Sequence, residues 1–68
     1  MKNMTALEAI KWEFHGDLKA AERYCRRVSY AFRQDGNTGE ALIHEHLAKR
    51  FADQYAAVLA TAAPRHDL

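Results

Sequence analysis

The sequence breaks once, near its middle. Asp35-Gly36-Asn37-Thr38-Gly39 is the only dense cluster of turn-forming residues in a chain of 68. The segments on either side carry apolar residues at helical spacing. Two long helices joined by so short a connection lie antiparallel as neighbours. No period-2 alternation survives long enough to suggest strands.

The first segment opens on Thr5 and Glu8, spaced as a capping box, with Met4 placed as the staple residue. Leu7, Ile10, Phe14, Leu18, Ala21, Cys25, Val28 and Phe32 then recur at intervals of 3 or 4. They line one helix face for about seven turns, which predicts a helix over about 5–35. Gly16 costs about 1 kcal/mol in a helix interior relative to alanine. It falls opposite the apolar stripe and is read as a tolerated surface glycine, with a close backbone contact or a local bend as alternatives. Asp17, at the stripe's edge, is expected to pair with a Lys or Arg of the neighbouring helix and fix register.

Gly36 stands where a glycine after a helix end belongs, and the turn is expected over 36–39. Asn37 and Glu40 are spaced to cap a second helix. Ile43, Leu47, Phe51, Tyr55, Val58 and Ala62 form its apolar stripe, widened by Ala41, Ala48, Ala52 and Leu59. Pro64 halts it, so the second helix is expected over about 40–63 with a tail over 64–68.

One domain over 1–68 is all the length allows. Chains this short rarely bury enough apolar surface alone. Cys25 is the only cysteine, so no internal disulfide can help. The expected fold is therefore all-α: an antiparallel two-helix hairpin that completes its core as a homodimeric four-helix bundle. The N-terminus has no signal-peptide pattern, and no apolar run approaches the roughly 20 residues of a membrane span. A cytoplasmic protein with no membrane partner is expected.

Ten basic and nine acidic residues nearly cancel, so bulk charge selects no partner. Distribution is more informative. Residues 1–35 hold seven basic and five acidic side chains, against three and four in residues 36–68. On an unbroken first helix, Trp12 and Tyr30, 18 residues apart, point in one direction. Lys19, Arg23, Arg26 and Arg33 share that sector, and Arg27 lies nearby. The face can be a solvated charged surface. Less simply, it can be a protein interface, where Trp, Tyr and Arg are enriched, or, third, a nucleic-acid surface in which cations meet phosphates and rings stack on bases.

The function expected from this pattern is a small non-enzymatic interaction module. It would bind another protein through Trp12, Lys19, Arg23, Arg26, Arg27, Tyr30 and Arg33. The alternative is a dimer that binds RNA or DNA with the same face. The layout is similar to that of small plasmid-encoded hairpin dimers that bind paired RNA loops. The likeness is one of architecture, with no shared motif, and architecture alone does not imply function.

No catalytic, cofactor or metal residues are expected. Glu40 and His44 are spaced to share a metal, but the Glu-x-x-His pairs of di-iron bundles are absent. His44 is read as a boundary histidine bonded to Glu40 or to the first helix; His46 and His15 point elsewhere. Cys25 sits within the apolar stripe as a small hydrophobe, with no histidine at helical spacing to activate it. A hairpin is also expected to leave no room for a cavity of a few hundred Å3.

Overall fold

A computed structural model of the chain describes residues 4–62. Among the described residues there are three helices and no strand: α1 over Ala6–Glu13, α2 over Leu18–Gln34 and α3 over Thr38–Ala62. The expected stop at Pro64 and the tail over 64–68 lie outside the described residues.

The capping box of α1 forms as expected. Thr5 Oγ1 accepts from the Glu8 amide at 3.1 Å, and the Thr5 amide donates to Glu8 Oε1 at 3.1 Å. The long first helix does not form; it is two helices, and the two-helix hairpin becomes a three-helix chain. The His15 amide donates to the Trp12 carbonyl at 3.0 Å, and the Gly16 amide to the Lys11 carbonyl at 2.9 Å. That pair of bonds is a Schellman ending. It places His15 at φ 55 and Gly16 at φ 82, and a right-handed helix cannot continue through two such residues. Asp17 then restarts the chain: its Oδ1 accepts from the Ala20 amide at 3.1 Å as the N-cap of α2. Gly16 is thus part of a bend rather than a tolerated surface glycine. The Asp17 carboxylate serves backbone rather than a cation on the neighbouring helix. The apolar stripe still crosses the break, because Leu7, Ile10 and Phe14 pack on the same core as Ala21 and Cys25.

The turn between α2 and α3 is tighter than expected. Gly36, at φ 82, donates to the Arg33 carbonyl at 3.1 Å, and Asn37 to the Phe32 carbonyl at 2.8 Å. Asn37 Oδ1 also accepts from the Glu40 amide at 3.2 Å. One residue therefore closes α2 and caps α3, which begins at Thr38. The two helices run antiparallel. The rings of Phe32 and His44 lie 5.4 Å apart near the turn, and Lys19 Nζ lies 5.3 Å from the Tyr55 ring at the far end.

The seam between α2 and α3 is built from small residues around one large ring, Phe51. Ala21, Cys25 and Ser29 on α2 meet Ala41, Ala48 and Phe51 on α3, all buried. Ser29 Oγ donates to the Ala41 carbonyl at 2.8 Å across it. This rotates α3 away from the orientation its large side chains suggest. Ile43 and Val58, expected in the core, are 51% and 52% exposed, and Leu59 is similarly open. Small side chains let two helix backbones approach closely, so the line of contact follows Ala41 and Ala48, with the large aliphatics displaced to the flanks.

Candidate interaction surface

The break after α1 divides the aromatic and basic residues between two helices. Trp12 sits near the end of α1 and is 73% exposed; Tyr30, on α2, is 64% exposed. The common direction expected for them on an unbroken helix does not carry across the His15–Gly16 bend. Lys19, Arg23, Arg26, Arg27 and Arg33 all lie on α2 with Tyr30.

Around Trp12 there is an open depression of about 510 Å3, bounded among the described residues by Lys11, Trp12, His15 and Gly16.

A second groove, of about 210 Å3, runs along the α2–α3 boundary and is lined by Arg26, Ser29, Tyr30, Arg33 and Glu45. Two ion pairs set its shape. Arg26 Nε donates to Glu22 Oε2 at 2.9 Å one turn back on α2, and Arg33 Nη2 donates to Glu45 Oε1 at 2.9 Å on α3. Pairs as exposed as these contribute little stability; they place carboxylates beside two of the guanidiniums that line the groove with Tyr30. Lys19 is drawn instead toward Tyr55. Arg23 and Arg27 are exposed and make no ion pair among the described residues. The basic sector is thus partly neutralised by its own carboxylates.

Glu45 and Ser29 complete this groove and were not expected in it. The register that brings Glu45 to Arg33 follows from a turn of three residues, 35–37, one residue shorter than the expected 36–39 and starting one residue earlier. Ser29 stands among apolar neighbours at seam spacing, the one signal that could have marked it.

The remaining polar groups have local roles. His44 Nδ1 donates to the Glu40 carbonyl at 2.9 Å, and the Glu40 carboxylate lies 3.9 Å away. No cluster of three or more potential metal ligands occurs among the described residues. Cys25 is buried, and burial raises its thiol pKa, so it stays protonated at neutral pH.

Comparisons with models of protein families, with characterised proteins and with solved structures find no match to this chain. Among the described residues no helix is long and apolar enough to cross a membrane.

Proposed function

We propose that this protein is a small, non-enzymatic, cytoplasmic interaction module that works as a homodimer and binds another protein through the groove beside Tyr30. One observation carries the reading. A 64% exposed tyrosine shares a groove with two arginines, each paired with a carboxylate. Tyr and Arg dominate binding hot spots. The mixed charge of the groove favours a protein surface, which offers both signs, over a polyanion. Trp12 supplies a second exposed anchor on α1. Assembly of two copies into a helical bundle is part of the same reading, because among the described residues the core holds one large fully buried ring, Phe51.

Arg23 and Arg27 favour a second reading. Among the described residues neither meets a carboxylate, and a dimer would present both twice to phosphates. Salt separates the two readings. The chain and its Tyr30→Ala and Arg23→Ala/Arg27→Ala variants would be titrated with labelled RNA and DNA over a salt series, and used in parallel as bait for protein partners. The protein reading expects a partner retained at high salt and lost with Tyr30→Ala, with helicity unchanged. Oligonucleotide binding that falls log-linearly with salt, and that the double arginine variant abolishes, would overturn it in favour of the second.

A further inference from the structure

Among the described residues, the last part of α3 runs past the start of its neighbour. Tyr55 lies beside Lys19, near the beginning of α2, and α3 continues to Ala62. In an antiparallel pair each further residue of α3 falls opposite an earlier one, so 58–62 fall opposite 12–16 of a straight first helix. The chain has already turned away at His15–Gly16. Residues 56–61 are all exposed, with Val58 at 52% and Leu59 at 50%, and 54–62 carry no charged side chain. Val58 and Leu59 follow Tyr55 by three and four residues, so they continue the side of α3 that meets α2.

The segment that would cover them is α1. Leu7, Ile10 and Phe14 extend the stripe of Leu18, Ala21 and Cys25 at unbroken helical spacing. The hold of α1 in its bent position is partial, because none of its residues is buried. The bend is also strained: His15 sits at φ 55, a left-handed conformation that a residue with a Cβ rarely adopts. We propose that the His15–Gly16 bend is a two-state hinge, through which α1 joins α2 as one helix and Phe14 packs against Val58 and Leu59. Straightening gives up the packing of Leu7 and Ile10 on the Ala21, Cys25, Ala48 and Phe51 cluster. It gains cover for the end of α3 and relief at His15. In the straight form Trp12 and Tyr30, 18 residues apart, point one way, so the hinge sets whether the two exposed rings share a face.

The Phe14 ring distinguishes the two forms. In the bent form it lies 5.3 Å from the Tyr24 ring. On one straight helix the ten residues between them rise about 15 Å, which breaks that contact. Nuclear Overhauser contacts would be measured for the unaltered chain, His15→Gly and the double variant Gly16→Ala/Asp17→Ala. Labelled chain diluted into unlabelled chain restricts them to contacts within one molecule. A Cβ at Gly16 meets open space, so the double variant removes the left-handed glycine and the cap of α2 without a clash. The unaltered chain and His15→Gly should show Phe14 against Tyr24. The double variant should shift roughly tenfold or more toward the straight form, with Phe14 contacts to Val58 and Leu59 replacing those to Tyr24. Should it lose helicity by circular dichroism, Gly16→Ala alone carries the same expectation. Contacts to Tyr24 that persist in the variant, or that vanish with none to Val58 or Leu59 in their place, overturn the hinge.

Discussion

Ser29 Oγ donates a 2.8 Å hydrogen bond to the Ala41 carbonyl, joining α2 to α3 inside the buried seam. The bond requires close approach of the two backbones, and the neighbouring Ala21, Cys25 and Ala48 permit it. Ser29→Ala should keep the spacing and cost about 1 kcal/mol for the lost bond. Ser29→Leu should cost more, adding about 1–3 kcal/mol of overpacking. Denaturant unfolding of both variants checks the order; equal stabilities would mean that the seam is not tightly packed at Ser29.

The helix endings differ in chemistry at equivalent positions. Gly36 and His15 both occupy the left-handed position after a helix, at φ 82 and φ 55. A Cβ at Gly36 would meet open space, so Gly36→Ala reports backbone strain alone and should destabilise by about 1–2 kcal/mol. His15→Gly should act in the opposite direction, relieving strain and stabilising by a few tenths to about 1 kcal/mol. Thermal unfolding of the two variants tests the sign of each effect.

Core truncations should divide unequally between Phe51 and Phe14. Phe51 is fully buried, and Phe51→Ala should cost about 3–5 kcal/mol. Phe14 is half-buried at the end of α1 against Tyr24, ring centroids 5.3 Å apart. Phe14→Ala should cost less, because it forfeits less buried surface. The two melting temperatures decide the point; a larger drop for Phe14→Ala would mean that α1 anchors the fold.

Burial of Cys25 raises its thiol pKa in the folded state. The unfolded chain then releases a proton more readily than the folded one. The stabilising contribution is complete below the ordinary thiol value of about 8.5 and is lost as pH rises from there through the folded pKa. Stability should fall on the alkaline side, and Cys25→Ala should fall less steeply. Denaturant midpoints of both chains from pH 7 to 10 would test this; parallel curves would rule out a contribution from the thiol.

The features visible along the chain are those settled within a few residues. The Thr5–Glu8 box, the left-handed Gly36 and the capping Asn37 depend on backbone groups three or four positions away, so spacing reveals them. The α2 stripe through Ala21 and Cys25 was legible for the same reason. The bend at His15–Gly16 was only half legible: Gly16 and Asp17 signal an ending and a restart, but an uninterrupted apolar stripe argues for continuity. The left-handed cost at His15 is offset by the Asp17 cap and by the packing of Leu7, Ile10 and Phe14, and that balance includes contacts with distant residues.

Tertiary packing alone decided the rotation of α3 and the composition of the Tyr30 groove. Ile43 and Val58 look more core-like than Ala41 and Ala48 by size and hydropathy. They lie on the flanks because the line of contact follows the small residues of both helices, Ala41 and Ala48 against Cys25 and Ser29, which are buried where Ile43 and Val58 are not. The same register carries Glu45 to Arg33, converting a row of cations on one helix into a groove of mixed charge shared by two. Local spacing fixes what each helix can offer, whereas the partner helix selects which face is buried and which remains open for binding.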